Sequence, residues 1–217
     1  MNLNHNNIKV LPVHKAASAL QKKICTEINF ILGKNRIIYS RLTRKTKIIN
    51  QNDIIILRHP LNKLISEYYS YGWSHTTKYH TEQQFEIRDI IRQQSLDEYI
   101  ITDHKRLNLL YNKVFNEAKM IIKYEDIMDY PQRYLKFLLK KIDEQKIFDE
   151  IWNRFKTEFE FQGTDLSEDI INEKVKSHRR NLDHLEYEKK LLPQTIKRLD
   201  SDMIETIKIY NSLSSII

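Results

Sequence analysis

Two pairs of residues in this sequence, each a cation followed by a serine, have the chemistry to bind anionic groups. Lys15 precedes Ser18 by three positions, and Arg58 precedes Ser66 by eight positions. Ammonium, guanidinium and hydroxyl groups all donate hydrogen bonds to phosphate or sulfate oxygens, and arginine does so with two parallel N–H bonds. The function therefore depends on which structural elements carry these four side chains.

The first pair lies where a predicted strand turns directly into a predicted helix. An apolar run at 8–13 has the length of a strand, and the apolar residues that follow recur at helical spacing, at Leu20, Ile24, Ile28 and Ile31. Such a joint leaves backbone N–H groups and the positive end of the helix dipole at one point. With Ser18 as the predicted N-cap and Lys15 in the turn, we interpret it as a phosphate- or sulfate-binding loop.

The loop differs from the phosphate loop of common nucleotide hydrolases. No glycine occurs between Met1 and Ile31, so the sequence lacks a Walker A motif, and an ordinary ATPase or GTPase is disfavoured. Many strand-to-helix joints carry a lysine without binding a ligand, so a purely structural turn is the alternative. A second strand-to-helix joint favours the anion-binding interpretation.

The second pair follows a strongly apolar run at 53–57, which predicts a central parallel strand buried on both faces. Arg58 ends this run, and Pro60 suits the first position of the next helix, which carries Ser66. Ligands of open α/β sheets bind at the carboxyl ends of the strands. We therefore expect Lys15 and Arg58 to converge on one edge of a sheet, which suits a ligand with two separated anionic groups.

The remaining pattern predicts an α/β fold in a single domain over residues 1–217. Further strands are expected at 35–42 and 118–123, and helical stretches at 95–101, 104–116, 130–142, 148–161 and from about 193 onward. With three glycines and four prolines in the chain, long helices should dominate, above all in the C-terminal half. The expected architecture is a central, mostly parallel sheet flanked by helices.

Composition limits the partners and the compartment. The 217 residues carry a formal net charge of +7, which suits an anionic ligand but equally a solvated basic surface. The single cysteine, Cys25, excludes an internal disulfide and is expected in the core. No apolar run approaches the roughly 18 residues of a membrane span, and a secretory signal is missing, so a cytoplasmic protein is expected.

Two polar stretches are candidates for contact with a substrate. The basic stretch 41–47, RLTRKTK, is interpreted first as a solvent-exposed loop and second as a substrate-binding patch. The stretch 72–95 is rich in His and Gln and is expected as a loop and a short helix over the active face. It has no HExxH spacing and no cysteine partner, so no metal site is predicted.

These stretches, in this order, resemble the sulfotransferases that use 3′-phosphoadenosine 5′-phosphosulfate (PAPS). HKAASAL at 14–20 is similar to their 5′-phosphosulfate loop, and LRHPLNKLISEYYS at 57–70 to their 3′-phosphate motif, with the arginine-to-serine spacing preserved. The stretches at 123–138 and 177–199 resemble the family's YEDL segment and its C-terminal basic segment. The matches span most of the chain, and the 3′-phosphate motif looks closest to that of carbohydrate sulfotransferases.

The resemblance implies a P-loop NTPase-like sulfotransferase fold and a role for each matching residue. Lys15 would stabilise the leaving oxygen, and the loop of Ala16, Ala17, Ser18 and Ala19 would hold the 5′-phosphate. The residues that would hold the 3′-phosphate are Arg58, Ser66 and one of Arg179 and Arg180. The general base cannot be assigned by matching, because 34–52 contains no histidine or carboxylate. The candidates are Glu27, His75 and His80.

The chain also departs from the family pattern. Ala17 replaces the usual glycine of the loop, Ala19 its second hydroxyl, and Leu20 a tryptophan that stacks on adenine in some members. His59 replaces the aspartate that usually follows the arginine, and 182–186 takes the place of a glycine-containing turn. Each change could weaken nucleotide binding, so a degenerate member of the family is one alternative.

The expected function is sulfuryl transfer from PAPS to a hydroxyl acceptor without a metal. A small molecule or a saccharide is expected as the acceptor, and the two polar stretches suit a sugar or an acidic saccharide. The second interpretation is a relative that binds PAPS or another nucleotide without turnover. A third is a basic nucleic-acid-binding protein, which would explain the charge but not the Arg58–Ser66 spacing. The sequence contains no recognisable nucleic-acid module.

Overall fold

Four parallel strands form the sheet around which the site is built. The computed structural model describes residues 7–43, 45–46, 49–74, 82–160 and 186–217. Within them the strands are β1 (Ile8–Pro12), β2 (Ile37–Tyr39), β3 (Ile54–Leu57) and β4 (Met120–Lys123). Their order across the sheet is β2-β1-β3-β4, and each neighbouring pair is parallel.

The central strands are apolar because both of their faces are covered. All four residues of β3 are fully buried, and Val10 of β1 is buried equally well. The register pairs Val10 with Ile54 and Ile54 with Met120, so the carboxyl ends of β1, β3 and β4 lie side by side. The prediction of an α/β fold with a parallel sheet flanked by helices is confirmed.

The helices of the described residues are numbered here in chain order. They are α1 (Ser18–Leu32), α2 (Pro60–Tyr69), α3 (Glu82–Gln93), α4 (Leu96–Glu117), α5 (Tyr124–Asp129), α6 (Pro131–Lys141), α7 (Phe148–Glu160), α8 (Glu186–Lys190), α9 (Pro193–Asp202) and α10 (Ile204–Ser212). A π-helical turn, Ser70–Ser74, continues α2. Among the described residues, none of the helices combines the length and the apolar character needed to cross a bilayer.

The chain divides into two compact units. The first unit comprises Met1–Arg58, Leu110–Phe161 and Ser212–Ile217, and it contains the whole sheet. The second comprises His59–Leu109 and Gln162–Asn211, and its described part is helical. The prediction of one domain over 1–217 stays a prediction.

Four predicted elements differ from the observed ones. Strand β2 is shorter than 35–42, although the chain beyond it stays beside β1 as far as Leu42. The stretches 95–101 and 104–116 form the single helix α4, which starts with a reciprocal cap between Ser95 and Glu98. The predicted last helix is two helices, α9 and α10, because the chain leaves helical geometry at Met203.

The amino end of β2 is held by polar contacts in the first unit. The Asn29 side chain at the end of α1 accepts the N–H groups of Arg36 and Ile37 and donates to the Ile37 carbonyl. Glu144, which follows α6, forms an ion pair with Lys34 at 3.0 Å. The hydrogen bond from Lys34 lowers the pKa of the Glu144 carboxyl. The end of α6 therefore lies at the amino edge of the sheet.

Candidate anion-binding site

The loop between β1 and α1 is a tight turn with an unusual backbone. The Val13 carbonyl accepts the N–H of Ala16 at 3.1 Å, which closes a turn over His14 and Lys15. Lys15 has φ of 70° and Ala17 has φ of 52°, values in the left-handed region that favours glycine. Each such residue costs about 1–2 kcal/mol for an L-amino acid. Strained backbone of this kind recurs at ligand clamps.

The start of α1 presents backbone donors beside that turn. The first helical hydrogen bond runs from the Gln21 N–H to the Ala17 carbonyl at 2.9 Å. The N–H groups of Ser18, Ala19 and Leu20 therefore have no acceptor inside the helix. The first turn contains no acidic side chain, so the positive end of the helix dipole is not neutralised there.

Ser18 does not cap the helix as predicted. The N-cap is Ala17, which makes no side-chain cap bond, and Ser18 is the first helical residue. Its buried hydroxyl donates to the Val13 carbonyl at 3.0 Å. The N-cap prediction is wrong because the helix starts one position earlier than predicted, directly after the left-handed Ala17. The Ser18 proton must leave the Val13 carbonyl before it can bond a phosphate oxygen.

Arg58 stands at the carboxyl end of β3 and contacts the loop. Its Nη1 donates to the Lys15 carbonyl at 3.4 Å, and its guanidinium lies over the ring of Tyr124, 5.0 Å from the centroid. The hydroxyl of the fully buried Tyr111 donates to the Arg58 carbonyl. The backbone and the side chain of Arg58 are thus positioned by different partners. The two corners that carry Lys15 and Arg58 lie together on one edge of the sheet.

Ser66 and the start of α2 belong to the second unit. Ser66 lies in the second turn of α2 and is buried. Pro60 occupies the first helical position as predicted, and His59 is the N-cap without a side-chain cap bond. The His59 ring instead stacks on Tyr187, with centroids 4.8 Å apart and planes 9° apart. An aromatic contact therefore stands where an aspartate cap would otherwise be expected.

Glu27, a candidate for the general base, lies far from the β1–α1 loop. It is nine residues beyond Ser18 on α1, which is about 14 Å along the helix. Its carboxylate is paired with Arg154 of α7. The structure therefore does not bring Glu27 to Lys15. The other candidates from the sequence, His75, His80, Arg179 and Arg180, lie outside the described residues.

The sequence analysis does not identify two tyrosines of the candidate site. Tyr124 follows β4 directly within the KYED stretch, so its position beside a strand end was available from the pattern. Tyr111 lies 53 residues beyond Arg58 in a helix of mixed polarity, and no local signal marks it. Within the described ranges, no three His, Cys, Asp or Glu side chains are grouped to hold a metal ion.

A cavity in the first unit lies away from the two corners. Its volume is about 420 Å³, and its lining includes Asn7 and Asn35, which precede β1 and β2. It therefore opens toward the amino end of the sheet. Cys25 lines it, and burial raises the pKa of that thiol to about 12, so the thiolate is not available near neutral pH. Lys15, Ser18 and Arg58 are not among its lining residues, so the candidate anion site at the strand-end corners is separate from this cavity.

The fold is similar to that of a solved protein, mouse sulfotransferase SULT7A1, in its crystal structure complexed with PAP (adenosine 3′,5′-bisphosphate). The TM-score is 0.54 and the identity 13%, and the match covers 96% of this chain and 86% of that chain. No protein-family model matches the sequence, and no curated protein is significantly similar to it. At this identity the likeness establishes a sulfotransferase-like fold, and the chemistry has to be argued from the residues.

Proposed function

We propose that this protein transfers a sulfuryl group from PAPS to a hydroxyl group of a saccharide. The single observation that carries the proposal is the contact between the two corners, Arg58 Nη1 to the Lys15 carbonyl at 3.4 Å. Two cationic residues on neighbouring strand ends suit a nucleotide with phosphates at both ends. The likeness to a sulfotransferase crystallised with PAP supports the same ligand. The cytoplasmic location expected from the sequence belongs to this proposal.

In the proposed complex the two corners hold different phosphates. The N–H groups at the start of α1, with Ser18, bind the 5′-phosphosulfate end, because a helix N-terminus favours an anion. Arg58 binds the 3′-phosphate with Ser66 and one of Arg179 and Arg180. Tyr124 holds the guanidinium plane of Arg58 by a cation–π contact, so less side-chain entropy is lost when the phosphate arrives.

The transfer is an in-line displacement at sulfur. The acceptor oxygen forms a new S–O bond while the bond from sulfur to the bridging phosphate oxygen breaks. The electron pair of the broken bond stays on that oxygen, and adenosine 3′,5′-bisphosphate (PAP) leaves. Lys15 stabilises the charge that develops there, because a fixed cation acts most strongly in the transition state. The acceptor proton passes to a base, for which His75 is our candidate.

The decisive test combines nucleotide binding with transfer. Melting temperatures are measured with PAP and with adenosine 5′-monophosphate (AMP), which lacks the 3′-phosphate. The proposal expects a larger rise with PAP, because binding only to the folded state stabilises it. Transfer of radiolabelled sulfate from PAPS to a panel of saccharides is then followed. Absence of both a PAP-specific shift and transfer would refute the proposal.

A nucleotide-binding relative without turnover is the second candidate. Two observations favour it, the engagement of the Ser18 hydroxyl with Val13 and the alanine at position 19. Both reduce the number of side-chain donors at the 5′ end. A PAP-specific melting shift without transfer to any hydroxyl acceptor would select this candidate.

A further inference from the structure

Helix α6 of the first unit has one face in the core and the opposite face in solvent. Its core face consists of four fully buried residues, Tyr134, Leu135, Leu138 and Leu139. The opposite side carries four exposed cations, Arg133, Lys136, Lys140 and Lys141. Helical residues three and four positions apart are neighbours on the surface, so these cations form one row, which we call the α6 stripe. The packing of α6 explains its core face and leaves the stripe unexplained.

Three cations of the α6 stripe are positioned by aromatic rings. The distances from the cationic group to the ring centroid are 4.7 Å for Arg133 over Tyr130, 4.9 Å for Lys136 over Phe148 and 5.3 Å for Lys141 over Phe137. A cation–π contact attracts a cation without neutralising it. The side chains are therefore partly ordered while they keep their full charge, so less entropy is lost when an anion binds them.

No carboxylate neutralises the α6 stripe. Across the residues that the structure describes, none of its four cations forms an ion pair with an Asp or Glu. Asp129 and Asp143, which flank α6 in the chain, are no exception. By contrast, Lys146 lies just beyond α6 and is paired with Glu144 at 3.5 Å. The stripe therefore attracts a partner that offers several negative charges.

The geometry of the α6 stripe favours a membrane surface as this partner. The stripe is a straight row about 12 Å long on a helix, and it can meet several headgroups in the plane of a bilayer at once. Tyr130 at its start is 48% exposed, and tyrosine is enriched at membrane interfaces. A single-stranded nucleic acid is less suited, because it binds by stacking bases on aromatic rings. In each of the three rings here, a cation closes one face to a base.

We propose that the α6 stripe docks this protein on the surface of a bilayer that contains anionic lipids. The attachment is peripheral and electrostatic, because the apolar side of α6 is buried in the core and cannot enter the bilayer. Each cation near an anionic surface contributes roughly fivefold to the partition constant. The proposal goes beyond sulfuryl transfer and does not depend on it, because neither PAPS nor the two strand-end corners take part.

The test measures co-sedimentation of the full chain with lipid vesicles. One set of vesicles is pure phosphatidylcholine, and the other contains about 30% phosphatidylserine. We expect binding to the anionic vesicles alone, and its loss when salt is raised from about 0.1 M to about 0.5 M. The variant combines Arg133→Gln, Lys136→Gln, Lys140→Gln and Lys141→Gln. Its partition onto anionic vesicles should fall at least about 50-fold.

Two further variants separate the position of the charge from its amount and from the fold. The first removes the same charge from exposed residues of other elements, by Lys22→Gln, Lys105→Gln, Lys119→Gln and Lys197→Gln. The second keeps the charge of the stripe, by Lys136→Arg, Lys140→Arg and Lys141→Arg. Both should bind anionic vesicles within about threefold of the wild type. Thermal unfolding followed by circular dichroism confirms that each variant is folded.

Several results would overturn the proposal. Equal losses in the two glutamine variants would mean that net charge alone drives adsorption. Equal binding of the wild type to neutral and anionic vesicles would exclude an electrostatic attachment. Binding to a single-stranded oligonucleotide but not to anionic vesicles, with loss of that binding in the stripe variant, would assign the stripe to nucleic acid. The melting shift with PAP should be the same in the stripe variant and the wild type, so failure of either proposal leaves the other intact.

Discussion

The two strand-to-helix corners present their donors by different means. At the first corner, residues 13–17 form a turn with two left-handed residues, and the donors are backbone N–H groups at the start of α1. At the second corner only Arg58 and His59 separate β3 from α2, and Pro60 starts the helix without strain. There the donor is a side chain, the guanidinium of Arg58.

Because of this difference, we expect side-chain substitutions to have unequal effects on anion binding at the two corners. A backbone donor survives a change of side chain, so Ala17 and Ala19 can replace a glycine and a hydroxyl residue while the helix N–H groups remain. The substitution at position 17 is accommodated as backbone strain instead. A side-chain donor has no such substitute, and only arginine offers a planar fork for phosphate. We therefore expect chemistry to depend most on the side chains of Lys15 and Arg58.

Replacing Lys15 should have the largest effect, because it is the one side chain of the first corner that is proposed to act in the transition state. Lys15→Ala is expected to lower kcat about 10³-fold and to change the PAP dissociation constant by less than about tenfold. Single-turnover transfer and PAP titration measure the two quantities. Lys22→Ala, an exposed cation farther along α1, is the control. A Lys15→Ala enzyme with wild-type turnover would show that this corner only binds.

Arg58→Lys should have the next largest effect, and it tests whether the corners act separately. Loss of the bidentate bond should raise the PAP dissociation constant about 30-fold, roughly 2 kcal/mol. Because Arg58 also donates to the Lys15 carbonyl, we expect AMP affinity to fall as well, by about threefold. Titrations with PAP and AMP give both values. Unchanged AMP affinity would mean that the first corner keeps its geometry without Arg58.

Tyr111→Phe should weaken the second corner through its backbone. The lost hydroxyl leaves the Arg58 carbonyl without its buried donor, at a cost of about 1–2 kcal/mol in the free energy of unfolding. PAP should bind about fivefold more weakly, while AMP affinity stays within about twofold. Tyr134→Phe is the control, since that buried hydroxyl donates to Gln21 instead. Similar PAP affinities in the two variants would reduce Tyr111 to a purely structural residue.

The elements that could be predicted from the sequence are those with a local signal. The strand at 53–57 is predictable because its four consecutive apolar residues are typical of a strand that is buried on both faces. Pro60 in the same way predicts the start of the next helix. Helix α4 was split in two because polar residues interrupt its apolar pattern near His104. That ring is buried, with Nδ1 on the Ile101 carbonyl at 2.6 Å and Nε2 3.3 Å from Asp202. A partner almost a hundred residues away leaves no local pattern.

The residues of the candidate site stay a prediction, but part of their arrangement in the fold could be predicted from the sequence. Strand-end cations could be located because parallel strands end at a common edge, which places Lys15 and Arg58 together. The left-handed conformation of Ala17 could not be predicted, because nothing in an alanine indicates a positive φ. The anchoring of Arg58 by Tyr111 could not be predicted either, since it depends on a contact between the residue after β3 and a distant part of α4.

Ala17→Gly should have the smallest effect and addresses the first corner alone. Glycine adopts φ of 52° without the Cβ penalty, so we expect the free energy of unfolding to rise by about 0.5–1 kcal/mol. Ala19→Gly is the matched control: an exposed helical position where glycine should destabilise by about the same amount. Chemical denaturation measures both. Opposite signs would show that the strain at residue 17 is a property of the corner, whereas destabilisation by both variants would mean that the loop relaxes around its alanine. If Ala17→Gly also leaves PAP affinity within about twofold, the backbone donors stay in place whether or not the strain is present.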